Sequence, residues 1–131
     1  MSNPSHRKQL LSSDRFLKIG GAHDAISAVM LEQAGFPAIW VSGFGVSASQ
    51  FAMPDVNLVS MTESVEATRR MCESVSIPVI VDADNGFGDE SNAYRDVREF
   101  GMAGAAGVCI EDNTFPTRCS LYPGAPRELV S

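Results

Sequence analysis

The apolar run Pro78-Val79-Ile80-Val81 leads straight into Asp82-Ala83-Asp84-Asn85-Gly86-Phe87-Gly88. Residues two apart in a strand point to the same side, so Asp82 and Asp84 can face one space at the strand's end. Two neighbouring carboxylates repel each other, and burying either without a partner is costly. A hard cation resolves the conflict. The next apolar run, through Gly107-Val108-Cys109-Ile110, also finishes in acids, Glu111 and Asp112, and Asp55 lies in a long loop upstream. Three or four oxygen ligands without His or paired Cys suit Mg²⁺, which takes one or two carboxylates and completes its octahedron with water. The competing reading of residues 82–88 is a turn, made by Asp84 and Asn85 and given backbone freedom by Gly86 and Gly88. The recurrence of acids at the following strand end favours the metal.

Such side chains need a frame that collects strand ends. The texture of the chain alternates. FLKIGGAHD reads as a short strand ended by glycines, and AISAVMLEQAG as a helix with Ile26, Val29, Met30 and Ala34 on one face and Gly35 as its stop. PAIWVSG is a second strand, followed by the long loop GFGVSASQFAMPDVNLVS. TESVEATRRMCESV predicts a helix with Thr62 as N-cap, and IPVIVD is the third strand. DESNAYRDVREFGMAG is a helix capped by Asp89 or Ser91, with Ala93, Val97 and Phe100 on one face, and AAGVCIED is the fourth strand. The order βαβαβαβ, with strands apolar on both faces, implies a parallel sheet covered by helices. In such α/β folds functional groups gather at the C-terminal ends of the strands. No G-x-G-x-x-G follows the first strand, and VSGFGVSA lacks the lysine of a phosphate-binding P-loop, which disfavours nucleotide folds. A short helix over Gln9, Leu10 and Leu11 is expected in the polar start.

The 131 residues suit one small domain or part of a larger one, and 44% hydrophobic content is enough for a core. Formal net charge is −6, and the ten Lys and Arg are scattered. That argues against nucleic acid and against a membrane surface as partner. No apolar run reaches the length of a membrane span, and the N-terminus lacks the apolar centre of a secretory signal. Cys72, Cys109 and Cys119 are odd in number and lack metal-type spacing, so they read as reduced thiols of a cytoplasmic protein.

Trp40-Val41-Ser42-Gly43-Phe44, Pro54-Asp55, Asp82-Ala83-Asp84-Asn85-Gly86-Phe87-Gly88 and Glu111-Asp112-Asn113-Thr114-Phe115-Pro116 together resemble the isocitrate lyase and phosphoenolpyruvate mutase superfamily. The resemblance runs from about His6 to the end. It implies a (β/α)8 barrel of the TIM type, dependence on Mg²⁺, and chemistry on small 2-oxo acids or phosphonates through an enolate. By similarity, Asp82 would contact the metal directly, and Asp55, Asp84 and Glu111 through water. Ser42, Gly43 and Phe44 would bind the substrate's carboxylate and carbonyl, with Trp40 packed against them. The loop Phe115-Pro116-Thr117-Arg118-Cys119-Ser120-Leu121 corresponds to the family's mobile active-site loop. Its Phe-Pro and Ser-Leu resemble the branch that makes or breaks P–C bonds. Arg118-Cys119 resembles the C–C lyase branch, whose cysteine is an acid/base. Thr117 stands where the family normally has lysine and cannot supply that charge.

The resemblance divides the chain into a helical lead-in over 1–15 and the N-terminal half of a barrel over 16–131. A full barrel needs about 250 residues, so only the first four βα units are expected here, in a fragment of a longer enzyme or a half-barrel that associates. The leading expectation is a phosphoenolpyruvate mutase-like enzyme, homo-oligomeric at full length. The alternatives are a lyase of the 2-methylisocitrate or dimethylmalate type and an inactive half-barrel. Among other candidates, Asp24 reads as a helix N-cap beside His23, Cys109 as core, Cys72 as packing or surface, and Met53, Met61 and Met71 as core filler.

Overall fold

The computed structural model describes residues 16–124 and 128–129; the expected helix over Gln9, Leu10 and Leu11 lies outside them. Four strands, β1 (Gly20–Ala22), β2 (Ile39–Val41), β3 (Val79–Asp82) and β4 (Gly107–Cys109), form one sheet in the order β1-β2-β3-β4. All three pairings are parallel. Helices α1 (Ala25–Gln33), α2 (Gly43–Phe51), α3 (Met61–Ser74) and α4 (Glu90–Met102) occur between them. Strands adjacent in sequence are adjacent in the sheet, as in the opening βα units of a barrel.

One face of the sheet is tightly covered. Ala22, Ile39, Val41, Val79 and Val81 are buried in a core that includes Ala28, Val65, Met71 and Phe100 from the helices. Packing is close at Gly20, where a Cβ would stand 2.8 Å from the side chain of Leu31. The alternate positions Gly21, Trp40, Ile80 and Asp82 are more open. The strands are therefore not equally buried on both faces, as their apolar sequences suggested.

Local signals set most helix starts. Asp24 caps α1 in a reciprocal box with Ser27, as expected, and Asp89 caps α4 with Asn92. The cap of α3 is Ser60 rather than Thr62, because Ser60 and Glu63 exchange the capping-box hydrogen bonds. Helix α2 occupies the first half of the expected long loop, opened by Ser42. Its run of glycines and serines conceals it, since those residues favour turns in isolation.

Two residues read as core, Met53 and Cys109, are exposed, and the apolar stripes of two helices are only partly buried. Ile26 and Met30 are 68% and 64% exposed, and α1 turns Ala28 and Leu31 to the core instead. Val97 and Met53 are exposed, whereas Met71 is buried and Met61 is partly buried against the core. Cys109 is exposed on β4, the last strand of the sheet, while Cys72 packs against the core. Among the described residues no helix is long and apolar enough to cross a membrane.

Helix α4 buries a charge-bearing residue that the apolar pattern does not reveal. Asp96 is 1% exposed, its Oδ2 has no hydrogen-bond partner, and burial pushes its carboxyl up to about 6. The folded state thus holds this proton more tightly than the unfolded chain, and stability falls as pH rises from about 4 through about 6. Asp96→Asn is expected to stabilise the protein by about 1–2 kcal/mol at pH 8 and to change little at pH 4. Urea melts at the two pH values measure this difference.

Candidate metal and substrate site

The C-terminal end of β3 delivers Asp82 to the open face, on the side shared by Ile80 and, through the β2–β3 register, Trp40. The chain then turns. Gly86 N–H donates to Ala83 O at 2.9 Å, and Asp84 adopts the left-handed conformation with φ 47°. The turn and the carboxylate pair are thus both present: Asp84 N–H donates to Asp82 Oδ1 at 3.2 Å. The start of α2 approaches both acids. A Cβ at Gly43 would lie 3.3 Å from Asp84 Oδ1 and 3.6 Å from Asp82 Oδ2. Gly43 N–H also hydrogen-bonds the Asp82 carboxylate, which meets the positive end of the helix dipole.

Two loops bring the remaining acids. Asp55 N–H donates to Tyr122 Oη at 3.1 Å, Asp55 O accepts from Cys119 N–H at 3.3 Å, and the Cys119 thiol hydrogen-bonds the Asp55 carboxylate. Glu111 N–H donates to Asp84 O at 2.6 Å, fixing the end of β4 to the turn after β3. Glu111 Oε2 accepts from Asn113 Nδ2 at 2.6 Å and from Thr117 Oγ1 at 3.3 Å. Asn57 donates through Nδ2 to Asp84 Oδ2 at 3.2 Å and accepts at Oδ1 from Thr117 N–H.

Crowding has a clear electrostatic result. Burial, followed by the charges of Asp55, Asp82 and Glu111, pushes the Asp84 carboxyl up to about 7. Burial likewise raises Asp82 and Asp55, and Glu111 adds to both. Hydrogen bonds from Asn57, Cys119, and the N–H groups of Gly43 and Asp84 offset only part of this. Carboxylates held together against their own repulsion are a donor set suited to a divalent cation. Among the described residues no three Asp, Glu, His or Cys side chains converge closely enough to grip a metal directly. Oxygen donors without His or paired Cys are of the type that suits a hard ion such as Mg²⁺.

The sequence-derived residues do not all gather here. Asp55, Asp82, Asp84, Glu111, Gly43 and Thr117 form one connected group. Ser42 caps α2, its Oγ accepting from Gly45 N–H at 3.0 Å, which leaves its O–H to donate. Phe44, Arg118 and Ser120 are exposed, and Cys119 is half-buried beside Asp55. His23 stays with Asp24, 3.9 Å away, and its carbonyl accepts from Gln50. Sequence reasoning missed Asn57, Asn113 and Tyr122 as parts of the network. It also missed that Cys109 lies in register with Asp82. Asn57 left a faint trace, an Asn just after a Pro-Asp turn, the residue type that tolerates left-handed backbone.

The family model for phosphoenolpyruvate phosphomutase matches residues 7–125. The chain belongs to the phosphoenolpyruvate phosphomutase family. Within the wider superfamily that includes the isocitrate lyases, it is 40% identical over 131 residues to 2,3-dimethylmalate lyase of Eubacterium barkeri, covering 100% of this chain and 45% of that one. The solved phosphoenolpyruvate phosphomutase from Streptomyces platensis subsp. rosaceus superimposes with a TM-score of 0.92 at 38% identity, covering 98% of this chain and 44% of the other. Phosphonopyruvate hydrolase, solved with oxalate and Mg²⁺, gives a TM-score of 0.84 at 40% identity, covering 89% and 41%. The chain thus spans less than half the length of each of these phosphomutase-family relatives.

Proposed function

We propose that the chain forms the N-terminal half of the active site of an Mg²⁺-dependent enzyme that makes or breaks a P–C bond at a three-carbon 2-oxo acid. The observation that carries this reading is the meeting of Asp55, Asp82, Asp84 and Glu111 at the strand ends against the N-terminus of α2. By the resemblance to the family, Asp82 would be the direct ligand, and Asp55, Asp84 and Glu111 would act through water. When bound, Mg²⁺ supplies positive charge that stabilises the carbonyl oxygen as it becomes an enolate.

The chain's own groups bind and orient. Ser42 O–H and the first N–H groups of α2 would take the substrate carboxylate, with Trp40 closing one side. Breaking the P–C bond passes the phosphoryl group to an oxygen acceptor, water or the substrate's own enolate oxygen, and leaves the electron pair of that bond on carbon as the enolate. No protein acid is needed at that carbon in the step itself. Thr117, buried among Asn57, Asn113 and Glu111, then shapes the loop without adding charge.

A second reading is favoured by one contact. The hydrogen bond between the Cys119 thiol and the Asp55 carboxylate sets a proton donor at the site, as a C–C lyase releasing a pyruvate-type acid would require. Phosphorus NMR of phosphonopyruvate with Mg²⁺ separates the two. The P–C reading expects the phosphonate resonance to give way to a phosphate ester or inorganic phosphate. An unchanged spectrum, with release of a 2-oxo acid from a 2-alkylmalate, would establish the lyase instead.

A further inference from the structure

The segment from Glu111 to Gly124 contains no helix or strand, yet Thr117 within it is only 3% exposed. Its ties converge on a second irregular stretch around Asp55 and Asn57. Thr117 N–H donates to Asn57 Oδ1, Cys119 N–H donates to Asp55 O at 3.3 Å, and Tyr122 Oη accepts from Asp55 N–H at 3.1 Å. The other end of the Asn57 carboxamide, Nδ2, donates to Asp84 Oδ2 at 3.2 Å. One short side chain therefore grips the loop with its oxygen and an acid of the central cluster with its nitrogen. Its backbone is left-handed, φ 58°, a conformation that asparagine adopts more readily than most residues.

We propose that Asn57 is a positioning residue, the joint that ties the seating of the 113–122 loop to the orientation of the Asp84 carboxylate. Releasing the loop frees the carboxamide, and a freed carboxamide no longer holds Asp84 Oδ2. Disturbing Asp84 loosens the loop by the same linkage, because a coupling between two sites acts in both directions. Asparagine suits this place for two reasons: it carries a donor and an acceptor on one rigid amide, and it tolerates the left-handed backbone. The joint belongs to the chain itself and holds whether or not the protein turns over a phosphonate.

Exposed Arg118, next to Thr117, makes the test direct. Tryptic cleavage after Arg118, followed by mass spectrometry on the whole chain in EDTA, reads how often the loop leaves its seat. Cleavage after Arg70 in α3 and Arg95 in α4 reads general unfolding. Asn57→Gly keeps the left-handed backbone and deletes the carboxamide, and it is expected to speed cleavage after Arg118 about fivefold or more. The helix sites are expected to keep their rates. Asp84→Ala removes the far end of the joint and should also speed cleavage at Arg118. The double variant should then be no faster than Asn57→Gly, as expected when both changes break one connection. Asn57→Asp retains an acceptor for Thr117 N–H but sets another carboxylate against Asp84 in place of a donor, and it should speed cleavage after Arg118 at least as much as Asp84→Ala. An unchanged rate at Arg118, multiplying effects in the double variant, or equal acceleration at all three sites would each overturn the proposal.

Discussion

Asp84→Asn is expected to make the metal-free protein more stable while weakening its hold on Mg²⁺. Burial and three neighbouring acids push this carboxyl up to about 7, so the folded state retains a proton that the unfolded chain has already lost. Stability of the wild type should therefore fall as pH rises from about 4 through about 7, and the loss should be complete above that. Asparagine removes the charge and keeps an oxygen for Asn57 Nδ2 to reach. The expected gain is about 2 kcal/mol or more at pH 8, shrinking towards zero near pH 4. Adding Mg²⁺ should raise the wild-type melting temperature at pH 8 and leave the variant's much less affected. A variant less stable than wild type at pH 8 would mean that the four acids do not strain the fold.

The second large effect concerns Asp82. It stands in β3 itself, and it accepts from the N–H groups of Gly43 and Asp84. Asp82→Ala is expected to weaken Mg²⁺ binding by at least about a hundredfold, the upper end of what even an outer partner of a metal site costs. The fold should survive, since the change removes a repelling charge and leaves the buried face of β3 intact. Calorimetric titration with Mg²⁺, beside circular dichroism of the same sample, separates lost binding from lost structure. Undiminished affinity in a folded variant would move the metal away from Asp82.

The sequence carried the frame and the acids more clearly than their connections. Four strands and their parallel order were legible because Ile39-Trp40-Val41 and Val79-Ile80-Val81 are short apolar runs ended by functional residues. Asp82, Asp84 and Glu111 were legible because acids at consecutive strand ends are unusual in type and place. Helix α2 was hidden by Gly43, Gly45, Ser47 and Ser49, whose local preference is for turns; the Ser42 cap and the burial of Val46 override it. The apolar stripe of α1 does not mark its buried side, since Ile26 and Met30 are exposed while Ala28 is buried. Leu31 of the same helix packs closely over Gly20 of β1. Asn57, Asn113 and Tyr122 join the site through contacts between segments far apart in the chain, and no local pattern encodes those.

The central claim is that the strand-end acids hold Mg²⁺ for a 2-oxo acid substrate. Oxalate, two adjoining carboxylates resembling the enolate of such an acid, probes this directly by calorimetric titration with and without Mg²⁺. The account predicts binding that requires Mg²⁺ and disappears in Asp82→Ala. Oxalate binding that is indifferent to both the ion and the substitution would contradict it.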